Sequence, residues 1–371
     1  MKFCAKRIGV LLLLTVVLGT IGRAQDDAQF TLFPWATSYY NAGGIGEQSN
    51  TLCFTAIYDN KYLGWKDLQG VNTNNLKDSA DKTAPQDFML NIESYLKKLH
   101  GSLGATFIRD QVGFYKNIGV KLGYSYKLRV AGGHMGIGLQ VGMFNQAVSS
   151  EGFRPIQTGD PVLSQLDEST LDLDFNFGLF YKTDQWYVGA SLTQIAGALD
   201  KNQALRVSGN KGSQRSSNFY LHGGYTWIVP SNPNWEIIPH TMIKLNYASV
   251  PVIDDNGNFV AGKNHIRASS CQWDLMLTAR YNGVMWGGLG YRLNDAVNLV
   301  LGARPFYNSS NIYLKGLEAG VSYGITANSL GYRANRSFGD VEVMVRYCFD
   351  IYKPEVFSGY GSTRSIYKNQ Y

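Results

Sequence analysis

The chain has 371 residues, with 34 Lys or Arg against 28 Asp or Glu and a formal net charge of +6. Four of the basic residues (Lys2, Lys6, Arg7, Arg23) and none of the acidic ones lie in the first 24 positions. The rest of the chain therefore carries 30 against 28, or +2, which leaves no electrostatic footprint for nucleic acid. Tyr (24), Phe (18), Trp (7) and Gly (41) are abundant while only 17% of residues are charged, a balance foreign to most soluble enzymes but natural for strands that alternate apolar and polar side chains.

At the start, Lys2, Lys6 and Arg7 precede the apolar run IGVLLLLTVVLGTIG, and Gly22 and Ala24 place small residues where a signal peptidase reads. This predicts a leader over 1–24 and an exported chain. The run is shorter than the roughly 20 residues of a helical span, and no comparable run occurs later in the chain. Residues 25–50 show no sustained alternation and are expected to be a periplasmic or plug segment.

Period 2 then governs residues 51–349. In IGVKLGYSYKLRV one face carries Ile118, Val120, Leu122, Tyr124, Tyr126, Leu128 and Val130, and the other carries Gly119, Lys121, Gly123, Ser125, Lys127 and Arg129. LDLDFNFGLFY, QWDLMLTARY and DVEVMVRYCFD repeat the pattern. Runs of about 10–13 residues exceed an ordinary strand and match a tilted membrane-spanning one.

Roughly fourteen such segments begin near residues 51, 88, 101, 117, 134, 171, 185, 218, 236, 271, 284, 296, 314 and 340. Short connections (KKLHG, AGGH, KTDQ, PSNPN, NG, YNSSN) alternate with connections of which several are long, around 59–87, 147–170, 198–216, 250–269 and 328–338. An even number of long strands, with short turns at one end and long loops at the other, predicts an all-β fold: an antiparallel transmembrane barrel of outer-membrane type with both termini periplasmic. A soluble β-sandwich would show shorter strands and no such asymmetry.

Inward positions include many glycines (among them Gly136, Gly138, Gly302 and Gly320) and the charged residues Arg280, Arg292, Arg304, Glu318, Glu342 and Arg346. Either these charges line a path for a ligand, or they pair with one another to fill the interior. Inward glycines leave room for a plug, for which 25–50 is the candidate.

Catalytic patterns are lacking. The histidines (His100, His134, His222, His240, His265) have no metal-ligand spacing, GGHMGIG lies within an alternating strand, and no GxSxG occurs. The expectation is a non-enzyme without cofactor or metal. Of the three cysteines after the leader, Cys53 and Cys348 fall on the inward face near the start of the first strand and the end of the last. Closure of an antiparallel barrel pairs those strands, so a seam disulfide is one reading, and three unrelated small side chains is the other.

AQDDAQFTLFPWATSYYNAGGIG, together with the later YDNKYLGWKD and APQDFMLNIESYL, resembles the opening of the PorP/SprF family, with Gln25, Asp26, Gln29, Phe30, Tyr40, Asn41, Gly43 and Trp65 at matching places. DFNFGLFYKTDQWYVGASLTQI, GGLGYRLNDAVNLVLG, LEAGVSYGIT and VEVMVRYCF extend the resemblance to Phe349. It departs at FPWATS, where Pro34 and Trp35 replace a more Asn/Pro-rich stretch. The resemblance implies an outer-membrane component of type IX protein secretion and gliding. The implied partners are the periplasmic ring lipoprotein with its associated subunits and secreted cargo bearing a C-terminal sorting domain. Outer-membrane lipid would surround the wall. The alternative is an outer-membrane pore for small polar or hydrophobic solutes.

The tail 350–371 then projects into the periplasm. It has too few aliphatic residues for a core, and its spaced Tyr352, Phe357, Tyr360, Arg364, Tyr367 and Tyr371 suit docking on a periplasmic partner.

Overall fold

Outward side chains that want lipid and inward ones that need partners resolve, in the computed structural model, into a closed antiparallel barrel. The structure describes residues 27–47, 51–63, 84–113, 115–148, 169–196, 206–208, 216–253, 259–309, 311, 314–326 and 338–351. The leader, Gln25, Asp26, Trp65 and the tail residues Tyr352, Phe357, Tyr360, Arg364, Tyr367 and Tyr371 lie outside the described residues.

The first seven strands are β1 (Thr51–Asn60), β2 (Gln86–Leu96), β3 (Gly101–Val112), β4 (Tyr115–Val130), β5 (Gly133–Val148), β6 (Ser169–Lys182) and β7 (Trp186–Thr193). The short β8 (Arg206–Ser208) is an appendage on β6, and β9 (Ser217–Tyr225) continues the wall. After the two-residue β10 (Trp227–Ile228) come β11 (Trp235–Ile253), β12 (Phe259–Tyr281) and β13 (Met285–Arg292). β14 (Ala296–Ala303), β15 (Leu317–Thr326) and β16 (Asp340–Asp350) complete it. Every neighbour is antiparallel, β9 pairs with β11, and β16 pairs with β1, so without β8 and β10 a ring of fourteen strands closes with no free edge.

The turns at one end are short because the sequence supplies left-handed residues there. Ala131 and Gly132 (φ 49° and 78°) join β4 to β5, and Asn282 and Gly283 (φ 49° and 69°) stand between β12 and β13. These short connections mark the turn end of the barrel, and the opposite end is the loop end. The stretch 250–269, expected as a long loop, is instead mostly strand. β11 and β12 keep pairing out to Ile253↔Phe259, with register shifts after Asn246 and Pro251. The ladder outlasts the apolar alternation because backbone pairing needs no lipid-facing partner.

The outer face is apolar over the middle of the strands, with Leu122, Leu139, Leu289 and Ile325 each more than 60% exposed. Aromatic rings flank this band. Tyr181 lies 5.1 Å from Trp186 and Trp235 4.9 Å from Tyr281 at the turn end, and Phe88 lies 6.3 Å from Phe107 toward the loop end. The core of this protein is therefore not between sheets but inside the barrel.

Candidate functional site: the filled lumen

Residues 27–47 lie in the lumen. Phe30, Leu32, Phe33, Ala36, Tyr39, Tyr40, Ala42 and Ile45 are all at most 3% exposed. Pro34 starts a 3₁₀ turn at Phe33–Trp35, followed by a single α-turn, α1 (Thr37–Tyr40), and a second 3₁₀ turn at Ala42–Gly44. Such short turns leave most backbone groups unpaired locally, so the wall must pair them.

At the loop-end side, both oxygens of Glu342 on β16 accept backbone amides, from Thr31 (2.6 Å) and Leu32 (2.8 Å). Trp35 stacks on Trp286 of β13 with centroids 4.3 Å apart, and both indole N–H groups donate to Glu318 Oε1 of β15 (3.0 and 2.9 Å). Asp27 receives the hydroxyls of Tyr39 and of Tyr220 on β9, the latter at 3.0 Å. Lys121 of β4 sits over the Tyr39 ring, 4.3 Å from its centroid.

On the β2–β7 side the plug backbone comes close to the wall and bonds uncharged and charged side chains. Asn41 Oδ1 accepts from Gly43 N (2.8 Å), while its Nδ2 donates to Leu179 O (2.9 Å) and lies 3.0 Å from His222 Nε2. Ser125 Oγ and Lys127 Nζ both donate to Gly43 O (2.9 Å each), Gln140 to Ser38 O (3.1 Å), and Ser191 to Tyr40 O (2.7 Å). Inward glycines make this approach possible. A Cβ placed on Gly138 would lie 2.1 Å from the Ala42 carbonyl, and one on Gly178 would lie 2.1 Å from Asn41 Oδ1. At the turn end Gly46 N donates to Glu93 (3.0 Å), and Lys182 pairs with Glu47, a few residues before β1 begins.

Four inward arginines are paired as well. Arg292 bonds Asp274 at 2.8 Å and lies 3.7 Å from Asp295, Arg304 lies 3.8 Å from Glu318, Arg346 lies 3.9 Å from Glu93, and Arg280 pairs with Glu236. Arg280, Arg292, Arg304 and Arg346 each face an acidic partner, Glu318 faces Arg304, and Glu342 holds the two plug amides. Beyond the plug toward the loop end, Lys61 joins Asp87 (3.2 Å) and Asp59 (3.6 Å) at nearly full burial, a cluster the sequence pattern did not single out.

Of the matching N-terminal residues, Gln29, Phe30, Tyr40, Asn41 and Gly43 are all in the plug. Cys53 stands opposite Cys348 in the β1–β16 register and the two form a disulfide, while Cys271 is free. Among the described residues no group of three or more His, Cys, Asp or Glu is placed to hold a metal ion.

Sequence comparison decides what kind of barrel this is. The model of the type IX secretion system membrane protein family PorP/SprF matches residues 22–347. The chain belongs to the PorP/SprF family. This PorP/SprF protein is therefore an outer-membrane component of type IX secretion, and its family and fold are those of a secretion membrane barrel rather than of a known enzyme family. No curated protein matches its sequence. Solved structures similar to it include the toluene transporter TbuX of Ralstonia pickettii (8% identity, 90% of this chain and 97% of that one, TM-score 0.46). A Pseudomonas aeruginosa FadL homologue (13%, 85% and 94%, 0.42) and the P. putida toluene transporter TodX (9%, 82% and 90%, 0.41) are also similar.

Proposed function

We propose that this PorP/SprF protein is a non-enzymatic, closed docking element of the type IX machinery. In this reading the turn end and both chain termini face the periplasm. There they contact the ring lipoprotein and its associated subunits, in support of export or surface attachment, and of gliding, for cargo with C-terminal sorting domains. The filled lumen carries the proposal. A segment hydrogen-bonded to strands from β2 round to β16 is built to stay, and a wall spent on holding it is not free to conduct solutes. The tail 350–371, with its spaced aromatics and Arg364, is assigned to partner binding. Tyr352, Phe357, Tyr360, Tyr367 and Tyr371 supply anchors of the kind that dominate protein interfaces.

The test is an affinity pull-down from detergent-solubilised outer membrane, comparing the full chain with one ending at Asp350. Ring lipoprotein or cargo co-purifying with the full chain and lost from the shortened one supports the reading. Equal recovery by both removes the tail from it, and recovery by neither overturns the docking role.

A further inference from the structure

The lipid-facing wall is not uniform. Where β1 to β5 run side by side, Ser94 and Ala105 are small outward side chains among large ones. Leu52, Leu103, Leu122 and Leu139 stand around them, leaving an apolar groove of about 610 Å³ open to the outside. Behind it the wall is bare backbone. Gly104 and Gly123 face inward, and Ile45 of the plug occupies the space their side chains would need. A Cβ on Gly104 would meet Ile45 Cγ2 at 2.7 Å, and one on Gly123 would meet Ile45 Cδ1 at 2.6 Å.

The groove has a cationic mouth. Tyr124 lines it, and its hydroxyl donates to Leu99 O (2.7 Å) in the turn that joins β2 to β3. That turn exposes Lys97, Lys98 and His100. The stretch 95–102 contains no Asp or Glu, and Glu93, which also lines the groove, gives its carboxylate to Gly46 N (3.0 Å) and to Arg346 inside the barrel. Among the described residues no carboxylate pairs with Lys97 or Lys98, whereas Arg280, Arg292, Arg304 and Arg346 in the lumen all have acidic partners. An apolar trough in the bilayer band that ends at unneutralised cations at the aromatic belt fits an amphiphile with an anionic head. Apolar surface takes the chain, and clustered Lys and Arg take the phosphate.

We propose that this groove is a specific site for one anionic glycerophospholipid, with an acyl chain along Leu103, Leu122 and Leu139 and the phosphate held by Lys97 and Lys98. The site sets that acyl chain back to back with Ile45, with only the Gly104 and Gly123 backbone between lipid and plug. It depends on the rim and the groove, not on which side of the membrane the turn end faces, so its outcome is independent of the docking function.

Native mass spectrometry of the delipidated full chain tests it, with phosphatidylglycerol and phosphatidylcholine of identical chains added in turn. One phosphatidylglycerol should be retained about tenfold better than phosphatidylcholine, and Lys97→Gln with Lys98→Gln should remove that preference. Ala105→Leu, which fills the groove from the lipid side, should lower phosphatidylglycerol retention at an unchanged melting temperature. Equal retention of the two lipids, binding that climbs without saturating, or lipid A displacing phosphatidylglycerol would overturn the proposal. So would a protein-sized adduct from a photo-crosslinker placed at Ser94 in cells.

Discussion

The two sides of the lumen hold the same plug by different physics. On the β2–β7 side, glycines at 136, 138 and 178 let the plug backbone touch the wall backbone, and Ser125, Gln140 and Ser191, with Lys127 and Glu93, complete the bonds. On the β11–β16 side, buried carboxylates take two plug amides and the Trp35 indole, and a stack of Trp35 on Trp286 fills the space between. The first side recognises shape, and any added atom is a collision. The second recognises polarity, and the harm comes from leaving a buried donor unpaired. A plug held both ways is fixed in position by one side and in register by the other.

Changes that strike each side separately sharpen that contrast. Gly138→Val should act most strongly, since the Ala42 backbone has nowhere to move without dragging Asn41 and Gly43. A loss of about 3 kcal/mol in unfolding free energy from denaturant titration, with new protease cleavage within 27–47, is expected. Glu342→Gln keeps the shape but leaves one carbonyl where two carboxylate oxygens served Thr31 and Leu32. It should cost about 2 kcal/mol without displacing Asn41 or Gly43. Trp35→Phe keeps an aromatic ring against Trp286 and removes one donor to Glu318, for a loss of about 1 kcal/mol by the same unfolding assay. Leu299→Ala, on the lipid face, should stay within about 0.5 kcal/mol. If Gly138→Val proved as mild as Leu299→Ala, the backbone contact would not be what seats the plug.

The outer wall was legible in the sequence because lipid imposes period 2 on every strand that crosses it. Ile118, Val120 and Leu122 alternate with Gly119, Lys121 and Gly123 in sequence as they do in space. Closure is also a consequence of alternation, which is why Cys53 and Cys348 could be placed on facing strands from the sequence alone. The pairing of 250–253 with 259–269 was missed because Asp254, Asp255, Asn256 and Gly257 read as a turn and Lys263, His265 and Arg267 interrupt the apolar alternation. Inward charges were legible as inward, but not their partners. The plug's turns are three and four residues long, too short to show any period, and the Asp27–Tyr220 contact spans 193 residues. Lys121 was visible only as one polar residue in an alternating strand, and nothing local announces that Tyr39 lies beneath its ammonium.

Closure of the lumen by the chain's own N-terminal segment is tested most directly by single-channel recording of the purified full chain in planar bilayers. A seated plug predicts no unit conductance from the native chain and discrete steps from Gly138→Val. Steady conductance steps from the native chain, unchanged in the variant, would contradict it and make the barrel a pore.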